Sequence, residues 1–112
     1  MKDYLEYKGY YGTVEYSAED DILYGRIIGL RRSSITYEGS GLKELKQDFR
    51  DAVNDYISSF DDPSKIEKPC KGTFNVRIGP ELHVKAVLKA RENSQTLNTF
   101  VKEAIRKQAV DL

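Results

Sequence analysis

Three side chains able to read nucleic acid stand at every second position of the run GTFNVRIG: Thr73, Asn75 and Arg77. Arg matches the O6 and N7 acceptors of guanine, Asn pairs with adenine, and Thr presents a hydroxyl and a methyl to a base edge. A spacing of two places all three on one face of an extended strand, with Phe74, Val76 and Ile78 on the other. Such a strand is either a sheet element with one wet face or a surface that meets DNA. Candidate phosphate contacts lie on both sides of it. Lys71 precedes the strand, and Thr96, Leu97 and Asn98 open the last predicted helix. Free backbone N–H groups and the positive end of the dipole favour an anion there.

The second chemistry worth weighing is metal-assisted hydrolysis, which needs several carboxylates gathered around a divalent cation. The candidates are Glu15, Glu19, Asp20, Asp21, Glu38 and Asp48. Glu19, Asp20 and Asp21 fall in a predicted turn, where acidic residues are common for local reasons. Glu15 has no partner carboxylate at strand spacing. The expectation is therefore no catalytic residue, no metal site and no cofactor: not an enzyme. His83, the only histidine, is read as an ordinary helix residue. Cys70, the only cysteine, excludes an internal disulfide and a cysteine-based zinc site.

The elements that must position these residues follow from periodicity. Residues 10–17 (YYGTVEYS) and 22–28 (ILYGRII) read as a hairpin around the polar turn AEDD, with a third strand at 34–38. Leu42, Leu45, Phe49, Ala52, Val53, Tyr56, Ile57 and Phe60 form one helical stripe, with Ser40 as the expected N-cap. Residues 1–60 are thus a β-β-β-α module. Tyrosines are abundant there, and are read as core and protein-contact residues rather than base-stacking ones. Residues 61–71 (DDPSKIEKPCK), with two prolines and six charges, read as a linker. In residues 72–112 the strand is followed by Gly79-Pro80, a helix over about 80–91, and a turn. A second helix then carries Leu97, Phe100, Val101, Ala104, Ile105 and Ala109 on one stripe.

A β-α-α module of this size buries too little surface to fold alone without a metal or a disulfide. Its single strand also leaves a row of backbone groups unpaired. The economical answer is a twofold dimer whose strands pair antiparallel above intertwined helices. Phe74, Val76, Ile78, Leu82, Phe100 and Val101 are the expected dimer core. Thr73, Asn75 and Arg77 would then be doubled on a two-stranded ribbon, a shape that fits the major groove. Whether dimers pair further into tetramers is left open. Charge follows the same division. Residues 1–70 carry a net −4 and residues 71–112 a net +4, with zero overall, so the basic back half is the candidate for nucleic acid. No apolar run suits a membrane span or a signal peptide, and a cytoplasmic protein is the default reading.

The string TFNVRI-GPELHVKAVLKA-REN-SQTLNTFVKEAIRK resembles a ribbon-helix-helix domain of the Arc/MetJ type. The resemblance implies an obligate dimer that inserts its ribbon into the major groove, with Thr73, Asn75 and Arg77 as base-reading positions. The front, GTVEYSAEDDILYGRIIGL, ITYEG and LKELKQDFRDAVNDYISSF, is similar to the N-terminal domain of HicB antitoxins, a partial RNase H-like fold. Together they imply an α+β protein of the HicB family, the antitoxins of type II toxin–antitoxin pairs. The front would bind and block a HicA-like toxin, a small RNA-cleaving protein. The back would bind operator DNA and repress transcription of the shared operon. The alternative is a stand-alone ribbon-helix-helix regulator whose front domain senses a ligand or protein. A lesser alternative is an RNase H-like nuclease.

Overall fold

The protein is described by a computed structural model covering residues 3–112. It is mixed α and β, with strands confined to the front and paired into two small sheets, and three α-helices among the described residues. Contacts divide the chain into a first unit ending at Thr73 and a second, Phe74–Leu112.

In the first unit β1 (Tyr4–Tyr7) and β2 (Tyr10–Thr13) form a hairpin closed at Tyr7↔Tyr10. The two-residue turn places Lys8 at φ 50° and Gly9 at φ 81°. Positive φ at both central positions matches the strand twist, and glycine adopts it without a steric cost. β1 was not among the expected strands, because its short run YLEY blends into a polar terminus and Lys-Gly is a weak turn signal.

The single run expected over 10–17 is two strands. β2 pairs with β1, while β3 (Glu15–Ser17) pairs with β4 (Ile22–Arg26), and β4 with β5 (Thr36–Gly39), all antiparallel. The module is therefore β-β-β-β-β-α rather than β-β-β-α. A Gly12↔Ile27 bridge and a bond from Ile28 N–H to the Tyr11 carbonyl (2.9 Å) link the two sheets. Alternation of side-chain type is blind to this break, since it does not register a change of pairing partner. At the break the Tyr37 hydroxyl donates to the Thr13 carbonyl at 2.7 Å. Gly25 faces both groups so closely that a Cβ would collide with them.

The helix α1 (Leu42–Ser58) buries Leu45, Phe49 and Val53 against Tyr10, Ile27 and Tyr37. The Tyr37 and Phe49 rings lie 5.0 Å apart at 59°. Burial pushes the Tyr37 hydroxyl up to about 12. The N-cap is Gly41, not Ser40. Ser40 lies one residue too early to cap with its hydroxyl, which donates instead to the Glu44 carboxylate, as does the Ser40 N–H (3.1 Å). The side-chain bond first, then the backbone one, holds the Glu44 carboxyl below its ordinary range. Phe60 lies beyond the helix end and packs edge-on to Tyr56, 5.1 Å between centroids.

Residues 61–71, expected as a linker, are bonded to the first unit rather than free of it. Asp62 caps a 3-10 turn at Pro63–Lys65 by accepting from the Ser64 N–H and hydroxyl. Glu67 then sinks into the unit at 4% exposure, and Cys70 N–H donates to the Gly29 carbonyl (3.3 Å). Composition reads such a segment as solvated, but one carboxylate that finds backbone donors can anchor it.

In the second unit α2 (Pro80–Glu92) and α3 (Leu97–Gln108) pack on each other through a turn at Asn93–Gln95. There Ser94 takes φ 55°, and its N–H bonds the Arg91 carbonyl. Ala90 is the one fully buried residue described in this unit.

Candidate nucleic-acid interface

The segment from Lys71 to Gly79 leads directly into α2, which begins with Pro80 at its first position and Gly79 as N-cap at φ 85°. Proline suits that position because its missing N–H would have no helical acceptor. The strand expected at 73–78 is not formed within the single chain: these residues belong to no ladder and every one of them is exposed. An isolated extended segment has no partner for its N–H and C=O groups, so no regular strand is assigned. Thr73, Asn75 and Arg77 keep their alternation with Phe74, Val76 and Ile78, which are 67%, 62% and 43% exposed.

The remaining members of the expected apolar cluster behave alike. Leu82 on α2 is 54% exposed and Val101 on α3 is 40% exposed, whereas Phe100 is half-buried. Within the single chain these six residues do not form a closed core. Side chains of this size gain about 1.5–3 kcal/mol each on full burial, so leaving them in water forfeits most of the driving force available to the unit.

Thr96 is the N-cap of α3, as its sequence position predicts. Its hydroxyl oxygen accepts from the Thr99 N–H at 3.1 Å, and its carbonyl accepts from the Phe100 N–H at 3.0 Å. That leaves the N–H groups of Leu97 and Asn98 without an acceptor among the described residues. The Thr96 side chain thus does structural work, while the next two backbone donors remain available to an anion. The first turn carries no acidic residue to compete for that position.

Of the six carboxylates weighed for hydrolysis, three bond to side chains close by in sequence. Glu15 accepts from the Thr13 hydroxyl (3.1 Å), Asp21 from the Tyr16 hydroxyl (2.9 Å) and Asp20 from Ser17 (3.5 Å). Asp20, Glu38 and Asp48 do line one open groove of about 630 Å3, with Tyr24 and Thr36. There Asp48 accepts from the Glu38 N–H at 2.8 Å. Among the described residues no three His, Cys, Asp or Glu side chains are placed to hold one metal ion. Nor, among the described residues, is any helix long and apolar enough to cross a membrane. His83 lies exposed in the first turn of α2, and Cys70 is exposed at φ 59°.

Comparison with known proteins brings one match, and it falls on this half of the chain. Residues 61–105 match the HicB family. The matched stretch comprises the anchored segment, the exposed stretch 71–79, α2 and most of α3. It spans less than half of the chain, and the five strands and α1 lie outside it. Neither the curated proteins nor the solved structures contain a match.

Sequence reasoning missed one residue of consequence, Glu67. Its type and surroundings, SKIEK between two prolines, signal solvent. Nothing in the local string reveals that the backbone N–H groups of Arg31 and Arg32 converge on it.

Proposed function

We propose that this chain is the antitoxin of a HicAB-like type II pair. The HicB match over residues 61–105 supports that reading at family level. One observation carries the DNA-binding part: the 73–78 segment presents alternating polar and apolar side chains, all exposed, with no partner strand among the described residues. Two copies pairing antiparallel complete each other's ladder, bury Phe74, Val76 and Ile78, and raise two sets of Thr73, Asn75 and Arg77 on one ribbon. That ribbon enters the major groove of operator DNA, where Arg77 and Asn75 read base edges. Lys71 and the free N–H groups of Leu97 and Asn98 meet phosphates. The chain thereby represses its own transcription.

The first unit, a partial RNase H-like domain in this reading, covers the active site of a HicA-type toxin. An RNA-cleaving partner carries basic surface to hold its substrate. The net −4 of residues 1–70 and the acidic groove at Asp20, Glu38 and Asp48 suit such a surface. Blockade of this kind needs no catalysis by the antitoxin.

The test is a gel-shift titration on the DNA upstream of the chain's own coding region. Arg77→Ala should weaken specific binding by about 1–3 kcal/mol while leaving the oligomeric state unchanged. Parent-like affinity for the specific site in Arg77→Ala would remove the ribbon from the role of reader. Co-purification with a small basic protein encoded next to it tests the antitoxin half, and its failure would favour a stand-alone regulator.

A further inference from the structure

The charged residues of this protein are exposed or half-exposed with one exception among those described, Glu67. Its carboxylate accepts from the backbone N–H groups of both Arg31 and Arg32, the latter at 3.0 and 3.2 Å to its two oxygens. Its own N–H donates to the Tyr56 hydroxyl at 3.1 Å, and its carbonyl accepts from the Tyr10 hydroxyl at 2.9 Å. Successive backbone N–H groups of this kind form a concave site for an anion. Here the anion belongs to the chain itself. Bonding to the Arg31 N–H foremost holds the Glu67 carboxyl below its ordinary range, so it stays ionised in place.

The neighbours of Glu67 give little support. Residues 61–65, Lys68 and Cys70 are exposed, and Ile66 and Pro69 only half-buried. The segment is therefore fastened by polar bonds at Glu67 and Cys70 rather than by an apolar face, and the Glu67 carboxylate is the one side chain of the segment that bonds to the rest of the unit among the described residues. Its attachment decides how much chain is left between the two units. When fastened, only Lys71–Thr73 lie between Cys70 and Phe74, an extended reach of about 11 Å. When freed, the tether is the whole of 61–73, with a reach of about 45 Å.

We propose that Glu67 and the Arg31–Arg32 backbone nest form a latch that sets the tether length between the first unit and the second. The latch is independent of the partners assigned above: it operates whether or not the chain binds DNA or a toxin. By holding the tether short it restricts where the second unit can reach relative to the first. Opening it releases the second unit without unfolding either one.

Hydrogen exchange and limited trypsin digestion of the full chain, both read by mass spectrometry, test the latch. In Glu67→Ala, cleavage after Lys65 should accelerate at least tenfold, and the amides of Arg31 and Arg32 should lose protection. Cleavage after Lys71, outside the latch, should not change. Amides within α1 should exchange as in the parent. Tyr56→Phe, which keeps the carboxylate but removes one bond to the segment, should shift both readouts the same way by a smaller factor. Unchanged cleavage at Lys65 in Glu67→Ala overturns the proposal. So does loss of α1 protection in both variants, because Glu67 would then hold the unit together rather than set its tether.

Discussion

The two units use their apolar side chains in different ways. The first closes Tyr10, Ile27, Tyr37, Leu45, Phe49 and Val53 into one core, with Leu45 and Val53 fully shielded. The second buries Ala90 alone and leaves Phe74, Val76, Ile78, Leu82, Val84, Val87, Leu88, Val101 and Ile105 at least 40% exposed. A sheet gives a helix a flat surface to cover, so one chain supplies both layers. Two helices and an unpaired extended segment supply only one layer. Its closing surface has to come from elsewhere, and exposed apolar area of this extent marks an interaction site. One unit is thus built to be complete, the other to be completed.

Removing the centre of the complete unit should have the largest effect. Phe49→Ala should cost about 3–5 kcal/mol in urea unfolding. Tyrosine fluorescence reports that unit selectively, since all eight tyrosines precede residue 57. A cost near zero would mean that the unit does not depend on its own core. In the other unit Val76→Asp should raise the dissociation constant of the proposed homodimer at least about a hundredfold, near 3 kcal/mol, by placing a charge in the layer the two copies would share. Sedimentation equilibrium would show it, and an unchanged mass would remove Val76 from the interface.

Alkaline pH should separate the units further. Tyr37 titrates near 10 when unfolded and at about 12 when folded, so between those values the unfolded state binds fewer protons. The stability of the first unit should be intact below pH 10 and fall progressively from pH 10 to about 12. The second unit contains no tyrosine and should lack this loss. Tyr37→Phe should reduce the dependence, leaving the part due to Tyr10, whose hydroxyl burial also raises. The smallest effect is expected from Thr96→Ala, about 1 kcal/mol, through loss of the hydroxyl that accepts from the Thr99 N–H. Circular dichroism during thermal unfolding would measure it.

Much of this was legible from short-range pattern. The α1 stripe names Leu45, Phe49 and Val53 correctly as a buried face, and Thr96 announces the start of α3. These are effects of one helical turn, which a string of residues carries in full. The split of residues 10–17 into β2 and β3 was not legible, because the break at Thr13 depends on Tyr37 and Gly25 arriving from elsewhere. The shift of the N-cap from Ser40 to Gly41 turns on a single residue of phase, where Glu44 outcompetes the helix terminus for the Ser40 hydroxyl.

By itself the amino-acid order determined which side chains share a face: Thr73, Asn75 and Arg77 on one, Phe74, Val76 and Ile78 on the other. A strand repeats every two residues whatever surrounds it. It also determined that this face has no partner strand nearby in the chain. Only the tertiary structure decided that Glu67 is an anchor and that 61–71 is not free chain. That outcome rests on two N–H groups more than thirty residues away, at Arg31 and Arg32, which turn toward the same point. Hydrogen-bond donors of the backbone are identical in every residue, so no sequence pattern distinguishes the pair that will meet a carboxylate.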